Sequence, residues 1–181
     1  MIKKYIILPL LLGSMSAPAQ QYFTKNGHVS FFSKAPIENI HADNNQVISV
    51  IDMTTGVIQF SLLNNVFHFA KATMEDHFNE DYMESTTYPK TTFKGKIENL
   101  SQININRDGT YNVTVSGELL MHGVTKKIVA PATITIKKGN ISGHSVFQVA
   151  LSDYNIHIPS IVKDHISNNI EITADCDYQK K

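Results

Sequence analysis

TYNVTVSGELLMH, residues 110–122, alternates almost without a break. Tyr111, Val113, Val115, Gly117, Leu119 and Met121 fall on one face of an extended chain. Asn112, Thr114, Ser116 and Glu118 fall on the other, the signature of a half-buried strand. The same period of two runs through Ile128, Ala130, Ala132, Ile134 and Ile136, through Ile141, Gly143, Ser145, Phe147, Val149 and Leu151, and through Ile170, Ile172, Ala174 and Cys176. Near the front, Val29 and Phe31, then Ile58, Phe60 and Leu62, follow it as well. Turn-forming pairs punctuate the runs: Asn26-Gly27, Thr55-Gly56, Asp108-Gly109, His122-Gly123 and Gly139-Asn140. About eight antiparallel strands in one all-β domain are predicted, as a sandwich or an up-and-down barrel, which periodicity alone does not separate. Inward positions held by Gly95, Gly117, Ala130, Ala132, Gly143 and Ser145 are small and would leave room inside a closed barrel. The competing reading makes the glycines bulges or points where strands coil.

One segment breaks the alternation. From Ala70 to Asn79 the spacing turns helical, with Ala70, Met74 and Phe78 four apart on one face and Lys71 and Glu75 an i,i+4 pair. The following MEDHFNEDYMESTTYPKTTFKGKI, residues 74–97, is dense in Glu75, Asp76, His77, Glu80, Asp81 and Glu84. These carboxylates read as the wet side of a short helix that lays Met74 and Phe78 on the strands. A zinc site would want paired histidines such as His-Glu-x-x-His, and only His77 stands here. His28, His41, His68, His122, His144, His157 and His165 are scattered singly. No Gly-x-Ser-x-Gly or phosphate-cradling loop occurs, and Cys176 shares the inward parity of its strand as a buried thiol. No catalytic residue, metal ligand or cofactor is assigned, and the protein is expected not to be an enzyme.

The chain opens with Lys3 and Lys4, an apolar run from Tyr5 to Leu12 and the small residues Ala17-Pro18-Ala19, the layout of a signal peptide. Residues 1–19 are therefore expected to be removed after Ala19, leaving residues 20–181 as one periplasmic or secreted domain without stable membrane insertion. No cysteine near the cleavage point offers a lipid anchor, and a lone Cys176 leaves no intrachain disulfide. Sixteen basic and sixteen acidic residues balance without blocks of one sign, which argues against nucleic acid as a partner.

Three separated motifs in order carry a resemblance that covers nearly the whole mature chain. They are the His77-Phe78 helix running into Tyr88-Pro89 and Phe93, the turn His122-Gly123-Val124-Thr125-Lys126, and the segment from Asp153-Tyr154 to Pro159 before the last strand. In these the sequence resembles the YceI family of exported lipid-binding proteins. It differs from commoner members in Asn79-Glu80 and Tyr82-Met83 along the helix, and in HIPSIVKDHISNN, which lacks a glycine after its proline.

The resemblance implies a lipocalin-like, extended antiparallel eight-stranded barrel with a short helix near its mouth. The implied partner is a long apolar, isoprenoid-like lipid in the lumen, sequestered or transported; the oligomeric state stays open, a homodimer included. A barrel filled by its own side chains and acting as an interaction or structural module is the alternative, and a metal-assisted hydrolase the weaker one. Phe60, Phe93, Met121, Ile134 and Phe147 are expected to line the lumen, with Met74 and Phe78 from the helix above it. His77, Tyr82, Tyr88 and Tyr154 are the candidates for head-group contact at the mouth. For His77 the expectation is a ring packed on the barrel with one nitrogen bonded to a carbonyl or hydroxyl. Burying a methylene is worth about 0.8 kcal/mol, so apolar contact grips a chain strongly but distinguishes chains weakly.

Overall fold

The computed structural model describes residues 20–181, so the signal-peptide reading of residues 1–19 and its cleavage point lie outside the described residues. Eight long strands form a closed antiparallel barrel: β1 (Gln21–Lys34), β2 (Asn39–Asp52), β3 (Val57–Leu63), β5 (Lys90–Ile97), β6 (Gly109–Met121), β7 (Val124–Lys137), β8 (Asn140–Ala150) and β9 (Asn169–Lys180). A two-residue β4 (His68–Phe69) adds to β2. Sequence neighbours pair around the wall, and closure comes from β1, which pairs β2 on one side and β9 on the other. Closure leaves none of the eight long strands with an unpaired neighbour side, the usual hazard of an all-β chain.

The alternation read from the sequence is the alternation of the wall. Val113, Val115, Leu119 and Met121 are buried while Thr114, Glu118 and Leu120 face out. Two of the turns are tight hairpins with both central residues left-handed: His122 (φ 49°) and Gly123 (φ 73°), then Lys138 (φ 51°) and Gly139 (φ 79°). Asn26-Gly27 is not a turn. It is a bulge inside the continuous strand β1, where the register slips between Thr24 and Gly27 and again before Val29. The slip is needed because inward parity changes there, from Tyr22 and Thr24 to Gly27 and Val29. A Cβ on Gly27 would lie 2.8 Å from the Cys176 sulfur.

One end of the barrel is packed solid. Tyr22, Ile51, Met53, Ile97, Val113, Ile136 and Tyr178 fill it, with Leu100, Ile103 and Ile105 from the β5–β6 connection closing underneath. Within this floor Ser49 Oγ and the Tyr178 hydroxyl are 2.8 Å apart, beside the free, buried Cys176. Burial pushes the Cys176 thiol up to about 11 and the Tyr178 phenol well above its ordinary value. Both groups are neutral in folded and unfolded chains below about pH 9. Above it the unfolded chain releases protons that the folded chain retains, so stability should fall as pH rises from about 9 towards 11. The expected loss from Cys176 is on the order of 2–3 kcal/mol. Urea midpoints across that window should drop, and should drop less in Cys176→Ala; equal slopes in the two proteins would refute the assignment.

At the other end stand residues 35–38 between β1 and β2, residues 64–89 carrying the helix, the His122-Gly123 turn and residues 151–168. The helix α1 (Ala72–His77) continues as one wider turn over Phe78–Tyr82. It starts two residues later than the sequence spacing predicts. Ala70 is exposed and outside it, and Lys71 is an extended cap residue (φ −128°, ψ 129°) rather than a helical one. The expected Lys71–Glu75 pair therefore does not form. Lys71 Nζ reaches Glu38 at 2.8 Å instead, and Glu75 faces His68 at 3.7 Å.

Candidate functional site

Above the packed floor the barrel holds a cavity of about 540 Å³ that opens beside the helix. Its walls are almost wholly apolar. The space exists because small residues stand side by side at one level of the wall: Ala132 on β7 pairs with Ser145 on β8, which pairs with Ala174 on β9. Below them a Cβ on Gly143 would make only ordinary contacts, at 3.5 Å from Ile134 and Tyr178. Gly95 and Gly117 create no such space. They face each other across β5 and β6, and the ring of Phe93 lies where their side chains would be. Ser145 also marks where the β7–β8 ladder stops: its hydroxyl donates to the carbonyl of Pro131 at 2.7 Å, and Pro131 has no N–H with which to continue.

Nine of the eleven sequence-derived positions line this one space: Phe60, Met74, His77, Phe78, Tyr82, Phe93, Met121, Ile134 and Phe147. Tyr154 does not. The short turn Leu151–Tyr154 ends at Asn155 in the left-handed region (φ 57°), and the Tyr154 ring is buried among Met83, Leu119 and Ile156. Its hydroxyl is pushed up by burial and by Asp153. Its part at the mouth is structural, since its carbonyl accepts from Nδ1 of buried His122 at 2.9 Å. Tyr88 is likewise a packing residue, with its ring 4.5 Å from that of His122 and directly against Gly123. The His122-Gly123 turn thereby clamps the residues that follow the helix to those that follow β8. His77 lines the rim with its side chain about two-thirds exposed, and Nδ1 lies 3.5 Å from Asp81 rather than against a carbonyl or hydroxyl of the barrel. Tyr82 is half-buried at the rim, its phenol raised by burial and by Asp81.

Phe78 anchors the helix over the opening. Its ring packs 5.5 Å from Phe31, 5.5 Å from Phe67 and 5.1 Å from Phe69, within the range at which aromatic pairs attract. Phe67 and Phe69 escaped the sequence reading, although their alternation in VFHF is a strand signal. A polar junction sits on the same rim. Glu38 takes Lys71 at 2.8 Å and His165 at 3.8 Å, which holds its carboxyl below the ordinary range, with Lys71 the larger cause. The acidic stretch of the helix is solvated: Asp76, Glu80, Asp81 and Glu84 are exposed. On the outer wall His41, Asp43, His28, Asp175 and His144 form an alternating ribbon with contacts of 3.1, 2.7, 3.8 and 2.7 Å. Among the described residues no three such side chains converge on a point where they could hold a metal ion.

The same architecture occurs in solved structures. A polyisoprenoid binding domain from Saccharophagus degradans implicated in plant cell wall breakdown aligns with a TM-score of 0.78 at 15% identity, over 90% of this chain and 99% of that one. BcnA of Burkholderia cenocepacia aligns with a TM-score of 0.68 at 17% identity, over 84% and 96%. A YCEI protein of Campylobacter jejuni gives 0.63 at 19%, over 80% and 86%. At these identities the likeness is one of fold. No curated protein matches the chain. Residues 19–178 match the model of the YceI-like domain, and the chain belongs to that family.

Proposed function

We propose that the protein is an exported, non-enzymatic binding protein that holds a long apolar lipid, isoprenoid-like in character, in the barrel lumen for sequestration or transport. The observation that carries this is the apolar cavity of about 540 Å³, closed by a packed floor and open at the helix end. Left dry, a void of this size would cost on the order of 10 kcal/mol at about 24 cal/mol per Å³, comparable to the whole stability of a domain. Water is a poor filler, because an ordered molecule needs two to four polar partners that these walls do not supply. An apolar guest removes both costs. A barrel filled by its own side chains describes only the floor. The Saccharophagus degradans relative supports an isoprenoid-like guest by its polyisoprenoid binding. The layout of residues 1–19 supports export. Phe60, Phe93, Met121, Ile134 and Phe147 would contact the chain along the lumen, with Met74, Phe78 and Tyr82 at its upper end and His77 at the rim.

Native mass spectrometry of protein purified from its own host, followed by organic extraction, tests the reading. A non-covalent adduct should be seen, and the extract should contain a long, predominantly hydrocarbon lipid. Protein that runs at its bare mass and yields no lipid would overturn it.

A further inference from the structure

Two short sequences meet at the mouth: Ala35-Pro36-Ile37-Glu38 between β1 and β2, and Pro159-Ser160-Ile161-Val162-Lys163 in the last connection. Ile37 is 66% exposed and Ile161 is 88% exposed, the two most exposed isoleucines among the described residues; Val129, at 71%, lies on the outer wall of β7, away from the mouth. Neither is a loose end. The Ile37 N–H donates to the carbonyl of Asp164 at 3.0 Å, and Glu38 faces His165, so the two loops form one rim. Ile161 is held at the tip of the turn Ser160–Val162, where the Val162 N–H donates to the Pro159 carbonyl at 3.0 Å. The residues beside them, Glu38, Val162, His165 and Ile166, line the cavity.

We propose that this rim docks on a lipid bilayer, with Ile37 and Ile161 inserted at the boundary between head groups and acyl chains, so that the cavity opens into the membrane. The inference rests on the cavity-binding reading above and adds the surface through which a guest enters. Continuity of the cavity with the rim decides for a bilayer over a protein. Two isoleucines flanking an open apolar mouth match a surface that is itself apolar liquid below its head groups. A long hydrocarbon that passed through water instead would lose about 0.8 kcal/mol for each methylene wetted. Charge contributes little: Lys34, Lys71 and Lys163 are set against Glu38 and Asp164. Binding of this kind scales with apolar area inserted, and Lys163, two residues after Ile161, can extend to the head groups.

Co-sedimentation of residues 20–181, which hold the whole barrel, with vesicles of phosphatidylethanolamine and phosphatidylglycerol tests the proposal. The unaltered chain should bind, with little change at high salt. I161S should weaken binding by about tenfold and I37S/I161S should abolish it, while I48S, at an exposed position on the outer wall of β2, should leave it intact. Failure of the unaltered chain to bind, or equal binding by the double variant, would overturn the docking surface. So would a stable dimer in solution that the double variant dissolves, which would assign the rim to a second copy. Extractable lipid, measured on the same preparations, reports on the cavity separately: its absence would count against the lipid-carrying reading whatever the vesicles do.

Discussion

Gly117→Ala should cost about 3 kcal/mol or more, a large share of a domain's whole stability, and lower the urea midpoint steeply. The added Cβ would lie 2.4 Å from the carbonyl oxygen of Lys94, 2.5 Å from the Cα of Gly95 and 2.7 Å from the Phe93 ring. Two of these atoms are backbone of the neighbouring strand. They can retreat only if β5 and β6 part at the Gly95–Gly117 pair, which breaks the ladder in the middle of a closed wall. Phe93 cannot simply swing aside either, because its ring packs on Phe60 with centroids 6.4 Å apart. Gly143→Ala is the matched control. Its Cβ would sit 3.5 Å from its neighbours and remove backbone freedom from the unfolded chain, so stability should hold or rise by about 0.4–1 kcal/mol. Urea midpoints of the two variants decide the matter. A Gly117→Ala protein melting with the unaltered chain would show that β5 and β6 are not in this register.

The glycines show where reading from sequence stops. Parity correctly sends Gly95, Gly117 and Gly143 inward, yet two accommodate a ring and one opens space, a difference set by a partner strand that no local pattern names. The strands β6, β7, β8 and β9 were legible because each alternates cleanly. β2 was not, since Asn44, Asn45 and Gln46 interrupt it. Asn44 is nonetheless fully buried, and it is satisfied there: its side chain donates to the Leu63 carbonyl at 3.0 Å and accepts from the Gln46 N–H at 2.9 Å. A bulge and a hairpin turn both favour Asn-Gly, so Asn26-Gly27 looked like the end of a strand that in fact continues. The lining residues of the lumen followed from parity. The rim did not, because Glu38, Lys71 and His165 belong to three connections far apart in the chain. Tyr154 was misplaced for the same reason: one short turn decides whether its ring faces the opening or the core.

Ala132→Phe/Ala174→Phe should yield a folded barrel that carries no lipid. Both alanines line the cavity on either side of Ser145, in the row of small residues that gives the lumen its width. Each added ring takes the room of about six methylenes of guest, worth roughly 5 kcal/mol of burial at about 0.8 kcal/mol apiece, or more than a thousandfold in affinity. Two rings together would remove more driving force than ordering costs leave to spare. The fold should tolerate them, because overpacking is costly where neighbours already touch and these side chains enter open space. Melting temperature should therefore hold or rise while extractable lipid falls below detection. The comparison separates two kinds of apolar interior. If the residues inside the barrel served only to pack one another, enlarging two of them would lower stability and leave lipid content where it was. If the lumen is kept open for a guest, the same change stabilises the protein and empties it, and a double variant that retains its full complement of lipid would place the guest somewhere other than this cavity.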